Sequence, residues 1–244
     1  MVALRILMVV TSHATMGETG KPTGLWLEEL AVPYMRFVDA GADVTVASIH
    51  GGKVPVDPRS TPPPGPEAPV VERFLADPTA ARTLAHSIPL EALDATRFDA
   101  LFLPGGHGTI FDFPVSYALA SAVSRAWQAG RVVAAVCHGP AGLVGGVDSD
   151  GRPVLAGRRV SAFSNAEEEA VGLTKAVPFL LQNKLESLGA RVETGPSFQP
   201  FAIADGRLVT GQNPASARKT ADLTLEAIAS AGPAPGRTPA RRGR

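Results

Sequence analysis

Val132-Val133-Ala134-Ala135-Val136-Cys137-His138-Gly139-Pro140 is the stretch of this sequence that indicates the fold. Five consecutive apolar residues are typical of a parallel strand that is buried on both faces. Pro140 is tolerated in the first turn of a helix, so a helix is predicted to start almost directly after the strand. A strand, a sharp turn and a helix together predict an α/β protein, with Cys137 and His138 in the turn.

The rest of the chain alternates between strand and helix patterns. Further strands are predicted at 5–10, 43–49, 99–103 and 159–163, and as a hairpin of 201–204 and 207–210 around Asp205-Gly206. Further helices are predicted at 26–39, 115–129 and 178–188, and after a cap at Asn213-Pro214. Pro33 either kinks the first helix or marks a later start. This alternation predicts a mostly parallel sheet with helices on both faces and ligands at the carboxyl ends of the strands.

Length and composition suit one globular domain. The chain has 244 residues, of which 45% are hydrophobic and 19% charged. We expect a single domain over 1–231 with a Pro-rich insertion at about 53–97, which carries short helices near 71–75 and 79–86. The tail 232–244 is rich in Pro, Gly and Arg and is predicted to be disordered.

Charge and cysteine content restrict the partners and the compartment. The formal net charge is zero, which argues against nucleic acid or an anionic membrane as a partner. A single cysteine cannot form an internal disulfide, as a secreted scaffold would need. The apolar start at 1–10 lacks a cleavage pattern and is interpreted as a first strand, and no run reaches membrane-spanning length. We therefore expect a cytoplasmic protein.

Cys137 is the main candidate for chemistry. A nucleophile elbow exposes its side chain at the carboxyl end of a sheet, and a following helix start would lower the pKa of the thiol. Backbone N–H groups at such a turn can bind an oxyanion. The alternative is that Cys137 is a small buried apolar residue, which is the commoner role of a cysteine.

A glycine-rich turn, Pro104-Gly105-Gly106-His107-Gly108, follows another buried strand. Glycines allow close approach of a ligand to the backbone, and a free N–H group there can complete an oxyanion hole. The alternative is a plain strand-to-helix turn. The turn is not a phosphate-binding loop, because no Gly-Lys-Ser/Thr follows it.

Acidic residues near these turns are candidate partners. His138 can act as a general base if a carboxylate orients it, and the nearest carboxyl groups are Glu167, Glu168 and Glu169. Two of these three glutamates are expected on the solvated surface.

Glu28 and Glu29 lie on the first predicted helix. One of them is expected at the surface. If Glu29 instead points into the site, burial near a thiolate would keep it protonated and able to move a proton. The remaining histidines have no spacing typical of a zinc site and are interpreted as surface or loop residues: His13, His50 and His86.

Four segments together resemble the PfpI/intracellular-protease superfamily, which shares its core with class I glutamine amidotransferases. The sequences of these segments are most similar to the heat-shock chaperone branch, which is similar to glutathione-independent glyoxalase III. The resemblance covers roughly residues 3–230. The segments are Thr23-Gly24-Leu25-Trp26-Leu27-Glu28-Glu29, 104–112 (PGGHGTIFD), 134–140 (AAVCHGP) and 211–217 (GQNPASA).

The resemblance implies a flavodoxin-like, doubly wound sheet and a set of site residues. Its implied catalytic residues are the nucleophile Cys137, its partner His138, the third triad member Glu168 and the helix acid Glu29, with Glu28 facing solvent. It implies that an oxyanion or the substrate contacts Gly105, Gly106, His107, Gly139 and Trp26. Phe111 is expected, with Trp26, to narrow the pocket.

The chain also departs from its relatives in two ways. Glutamine amidotransferases need a histidine late in the chain, and none follows His138. Larger chaperone members carry a metal-binding set and a lid domain, but only His107 of that set has a match. We therefore expect no structural metal, no cofactor and, at 53–97, only a partial lid.

Several functions are compatible with these residues. The leading prediction is a cysteine-dependent conversion of methylglyoxal, or a related 2-oxoaldehyde, to a 2-hydroxy acid. The alternatives are a cysteine peptidase or amidase, an isonitrile hydratase, and a redox-responsive holdase chaperone that would need an exposed apolar patch. The expected partners are a small-molecule carbonyl substrate and, from the resemblance, a second copy of the chain in a homodimer.

Overall fold

The computed structural model describes residues 3–62 and 65–231, which form nine strands and eight α-helices. The strands are β1 (Arg5–Val10), β2 (Asp43–Ser48), β3 (Ile88–Pro89), β4 (Ala100–Leu103), β5 (Val132–Val136), β6 (Arg159–Val160), β7 (Arg191–Val192), β8 (Ala202–Asp205) and β9 (Leu208–Gly211). The helices are α1 (Leu27–Asp39), α2 (Ala68–Ala76), α3 (Pro78–Ala85), α4 (Thr109–Asp112), α5 (Tyr117–Gln128), α6 (Asn165–Ala170), α7 (Leu181–Ser187) and α8 (Ala217–Ala231).

The main sheet confirms the predicted fold class. Its strand order is β3-β2-β1-β4-β5-β9-β8, and β8 is antiparallel to β9 whereas the other neighbours are parallel. From β1 the chain adds strands first on one side and then, from β4 onward, on the other. Ligands bind at such a reversal in open α/β sheets, because the loops after the two strands diverge there. The loops that follow β1 and β4 therefore frame the expected site.

Alternating side chains of the strands separate the core into two layers. In β5, Val132, Ala134 and Val136 pack with α1, α2 and α8 on one face of the sheet. Val133 and Ala135 pack on the other face with α5, α7 and the segment after Cys137. Both faces of β5 are thus apolar, which explains why its sequence is a continuous apolar run.

Several predicted elements differ from the structure because short segments carry weak periodicity. The helix predicted from Pro140 is a five-residue 3-10 helix, Gly139–Leu143. The predicted strand 159–163 shortens to β6, which pairs with β7 outside the main sheet. Pro33 lies inside α1, so the later helix start is wrong. Asn213 does not cap α8, which follows a 3-10 turn at Pro214–Ser216.

The Pro-rich insertion contains α2, α3, β3 and short 3-10 turns, one of which, Pro58–Ser60, lies beside the start of α1. Ser60 Oγ accepts the Leu27 N–H group at 3.2 Å, so this turn is joined to the first turn of α1. The predicted disorder of 232–244 lies outside the described residues. None of the described helices is long and apolar enough to cross a membrane.

Candidate active site

Cys137 sits in a strained turn at the carboxyl end of β5. Its φ is +59°, a left-handed conformation that is uncommon for a residue with a side chain. The conformation is held from both sides, because its N–H group donates to Gly211 O and its carbonyl accepts from Phe163 N, both at 2.9 Å. The strand–turn geometry expected of a nucleophile elbow is therefore present.

A hydrogen-bonded line runs from Cys137 to Glu168. Sγ lies 3.4 Å from His138 Nδ1, and His138 Nε2 lies 2.8 Å from Glu168 Oε2. His138 is fully buried and packs on Phe163, with ring centroids 4.6 Å apart. The structure thus brings together the three residues that the resemblance assigned to a triad.

The structure shows which of the three neighbouring glutamates contacts His138, because all three lie in α6 with different partners. Ser164 caps this helix, and its hydroxyl and backbone N–H both contact Glu167 Oε2 in a capping box. Glu167 Oε1 accepts from Phe198 N and Asn213 Nδ2, both at 2.8 Å. Only Glu169 is exposed, so the prediction of two solvated glutamates is wrong: one carboxyl anchors α6 and the next contacts His138.

Glu29 lies in the first turn of α1 and is fully buried. Its Oε2 accepts the Gly105 N–H group at 2.8 Å, whereas Oε1 is buried without a hydrogen-bond partner among the described residues. Burial raises the pKa of this carboxyl well above its ordinary value, and contact with the Cys137 thiol is the main opposing influence. Because Oε2 is already an acceptor, the proton of neutral Glu29 belongs on Oε1.

The pKa of the Cys137 thiol is shifted in the direction opposite to the one predicted from the sequence. Burial raises the pKa of Cys137, and ionised Glu29 raises it further, while the Gly106 N–H group lowers it. The prediction that a helix start lowers this pKa is wrong here, because the 3-10 helix is short and the Cys137 residue is only 4% exposed. Glu29 and Cys137 thus form one coupled acid pair, in which proton retention by Glu29 removes the charge that disfavours thiolate.

The glycine-rich turn after β4 lies against this pair. Gly106 has φ +100°, and a Cβ atom there would overlap Trp26 N and Gly24 O. At Gly105 a Cβ atom would come within 2.8 Å of Glu29 Oε2, and at Gly139 it would overlap Leu103 O. The Gly106 N–H group interacts with Cys137 and therefore lies close to where an oxyanion would form after attack by the thiolate.

Glu28 is placed differently from the prediction. It is only 5% exposed, although the resemblance put it at the solvent. Burial and the nearby Glu67 raise the pKa of Glu28 to about 7, with the Trp26 side chain acting in the opposite direction. The helix turns Glu28 toward a second cavity of about 650 Å³, which Glu67 and Arg218 also line.

His107 and Arg59 extend the site beyond the predicted triad. His107 Nε2 lies 3.0 Å from Glu168 Oε1, and Arg59 Nη2 lies 3.2 Å from His107 Nδ1. Burial lowers the pKa of His107 to about 4, so this ring is neutral at pH 7. Arg59 had no sequence signal, because it reaches the site from the Pro-rich insertion, 48 positions before His107.

Two histidines and a glutamate also have the composition of a metal site. The ligand atoms of His107, His138 and Glu168 lie within 4.8 Å of one another. Both Nε2 atoms, however, already contact the carboxylate, and a guanidinium lies on the outer nitrogen of His107. A hydrogen-bonded relay accounts for these contacts without an ion.

A cavity of about 370 Å³ opens onto Cys137. Trp26, Phe163 and Phe198 supply much of its apolar lining, and Arg59 and His107 are the polar side chains beside the sulfur. Phe111 does not line it but stacks on His13, with centroids 4.7 Å apart, so the expected narrowing by Phe111 is wrong. The space suits a small polar carbonyl group with an apolar substituent.

Comparisons with known proteins place the chain in a family. The description "DJ-1/PfpI family" applies to a profile that matches residues 24–227. A probable glutathione-independent glyoxalase of Schizosaccharomyces pombe is 33% identical over 240 residues, which cover 86% of this chain and 92% of the relative.

Two crystal structures are similar along almost their whole length. Rapid Encystment Protein 24 kDa of Francisella tularensis is 35% identical with a TM-score of 0.87, covering 92% of this chain and 99% of that one. Glyoxalase III of Candida albicans is 28% identical with a TM-score of 0.82, covering 92% and 97%. With the profile match over most of its length, this chain belongs to the DJ-1/PfpI family.

Proposed function

We propose that this protein is a glutathione-independent glyoxalase that converts methylglyoxal, or a related 2-oxoaldehyde, to the 2-hydroxy acid. The observation that carries the proposal is the buried pair of Glu29 and Cys137, in which Cys137 contacts His138 and lines a cavity. A carboxyl group that keeps its proton next to a thiol suits a reaction that moves protons between adjacent carbons. The names of the Schizosaccharomyces pombe and Candida albicans relatives support the same activity.

Each step follows from the position of a named group. His138 Nδ1 takes the Cys137 proton, and the thiolate adds to the aldehyde carbon to give a hemithioacetal. The Gly106 N–H group stabilises the oxyanion until it is protonated. Glu29 or His138 then moves the proton from the first carbon to the second through an enediol, which leaves a thioester. Water hydrolyses the thioester, releasing the 2-hydroxy acid and the free thiol.

The reaction balances without a redox partner. The aldehyde carbon is oxidised while the neighbouring ketone carbon is reduced, and one water molecule is consumed. Cys137, His138 and Glu29 supply the proton transfers, and the Cys137 sulfur replaces glutathione as the carrier of the thioester.

We infer further that the enzyme acts in the cytoplasm as a homodimer. Cys137 is a buried free thiol, which fits a reducing compartment. The dimer rests on the resemblance to the superfamily. Light scattering on the purified protein tests it, since a dimer has twice the 25.3 kDa mass of one chain.

The activity is tested by lactate formation from methylglyoxal without glutathione. We expect turnover by the parent protein and loss to background in Cys137→Ala and Glu29→Gln, with Glu72→Gln on the exposed face of α2 as the matched control. No turnover by a parent whose Cys137 still alkylates would contradict the proposal, and peptides, amides and isonitriles would be the next substrates.

A further inference from the structure

Arg59 is held firmly at the edge of the candidate site. Its Nε donates to Asp57 Oδ1 at 3.0 Å and its Nη2 to Asp57 Oδ2 at 2.7 Å, which is a bidentate pair. Asp57 is buried and also accepts the Thr23 hydroxyl at 2.9 Å. The guanidinium is therefore fixed in orientation, even though the side chain as a whole is 42% exposed.

Only one assignment of donor and acceptor is possible for the contact between Arg59 and His107. A guanidinium has N–H donors and no acceptor, so the Nη2 contact at 3.2 Å requires a lone pair on His107 Nδ1. A neutral ring then carries its proton on Nε2. That N–H group points at Glu168 Oε1, 3.0 Å away, and donates to it.

Glu168 connects His107 to the second histidine, His138. The two imidazole contacts hold the pKa of Glu168 well below its ordinary value, so both of its oxygens are acceptors. His138 Nε2 must then be the donor across the 2.8 Å contact to Oε2. In neutral His138 this leaves the lone pair on Nδ1, which is the atom 3.4 Å from Cys137 Sγ.

We propose that Arg59 is a positioning residue of this site: by donating to His107 Nδ1, it holds His107 as its Nε2–H tautomer, so that both histidines donate to Glu168 and both of its oxygens remain acceptors. The consequence is that His138 Nδ1 is always the acceptor that faces the thiol. The effect on turnover rests on the proposed function, whereas the tautomers themselves are a property of the free protein.

Loss of Arg59 has a defined electrostatic consequence. Among the described residues, the charged groups and rings that act on the pKa of His107 are Arg59, Glu168 and His138, whose ring centroid lies 4.1 Å away, and Cys137 lines the same cavity. Arg59 and His138 both lower the pKa of His107, whereas Glu168 raises it. Without the guanidinium, His107 is freer to take the Nδ1–H tautomer or a second proton, and either change alters the donors that reach Glu168.

The test is histidine ¹⁵N NMR on the full chain, which has five histidines. The parent is expected to show His107 and His138 as Nε2–H tautomers, with His107 titrating near 4. In Arg59→Met, His107 should lose its single tautomer and its titration midpoint should rise by about one unit. Arg73→Met removes a similar bidentate pair with Asp39, far from these rings, and should leave both tautomers unchanged.

A second variant guards against misfolding, because Arg59→Met alone leaves Asp57 buried without its cation. Asp57→Asn combined with Arg59→Met removes that charge and should give the same NMR change in a folded protein. If the reaction is glyoxalase chemistry, kcat/KM should also fall about 10- to 100-fold with a smaller change in KM. Unchanged histidine tautomers in folded variants would overturn the proposal whether or not the parent turns over methylglyoxal.

Discussion

Glu29 and Cys137 show at the residue scale how two acids are tuned by one buried environment. Burial raises both pKa values, and ionised Glu29 raises the pKa of Cys137 further, whereas contact with the Cys137 thiol lowers the pKa of Glu29. Neutral Glu29 is thus a condition for a thiolate at Cys137. The backbone N–H groups of Gly105 and Gly106 supply the donors that this site offers to negative charge.

Glu168 and Glu169 offer a matched pair for testing the triad. We expect Glu168→Gln to lower kcat/KM about 100-fold or more, because an amide N–H group would meet the imidazole donors and disturb the His138 tautomer. Glu169→Gln, one position away and exposed, should keep parental kcat/KM. Equal kinetics of the two variants would show that the Glu168 contact does not contribute to turnover.

The raised pKa of Glu28 predicts that the stability of the protein depends on pH. Its pKa in the folded state is about 7, above the ordinary 4.5, so the folded protein holds this proton more tightly than the unfolded chain. The resulting stabilisation is complete below about pH 4.5 and is lost as the pH rises through 7.

Glu28→Gln removes this pH dependence. At pH 8 the variant should gain on the order of 1 kcal/mol in unfolding free energy, a value kept below the full shift because the cavity admits solvent. At pH 4.5 it should equal the parent. Denaturant titrations at both values test this, with Glu72→Gln as the exposed control, and a parental curve at pH 8 would contradict it.

At the scale of elements, the site is assembled from the ends of segments that are far apart in the chain. The first turn of α1 brings Glu29, the turns after β4 and β5 bring Gly106 and Cys137, and the first turn of α6 brings Glu168. Each of these ends is fixed by backbone bonds or a cap, so the side chains need little further ordering.

A substitution at Gly106 tests whether the turn after β4 needs a glycine at this position. We expect Gly106→Ala to cost at least about 3 kcal/mol and abolish turnover, since φ +100° is strained for alanine and its Cβ would meet the backbone of Gly24 and Trp26. Gly130→Ala is the control, because Gly130 has a similarly positive φ of +76°, but a Cβ atom added there would meet no other atom within 4 Å. It should cost about 1 kcal/mol and leave turnover intact, as thermal melts and lactate assays will show.

At the scale of the whole molecule, the site lies at the carboxyl ends of the central strands, and a layer of the core covers each face of the sheet. Phe102 in β4 is fully buried and makes an edge contact with Phe37 of α1, with centroids 5.4 Å apart. This contact joins β4, which leads into the glycine turn, to α1, which carries Glu29.

Phe102→Ala should consequently destabilise the protein by about 3–5 kcal/mol, measured by denaturant unfolding. Tyr117→Ala, at a residue 87% exposed in α5, should change stability by no more than about 0.5 kcal/mol. Similar losses for the two variants would show that the sheet core does not dominate stability.

The sequence determined the elements with strong local patterns. The apolar runs of β1, β4 and β5 and the turn at Asp205-Gly206 predicted the mostly parallel sheet, because strand periodicity and turn chemistry are local properties. The same holds for Cys137, whose position between a buried strand and Pro140 is readable from neighbouring residues.

Tertiary structure alone decided the electrostatics and the partners. Glu28 is buried rather than exposed, the pKa of Cys137 is raised rather than lowered, and Arg59 reaches His107 from the Pro-rich insertion. Desolvation and contacts between residues distant in sequence depend on how the elements pack, and no local pattern encodes them. The local sequence thus predicts Cys137 as the nucleophile, and the packing around Cys137 determines the direction in which the pKa of its thiol is shifted.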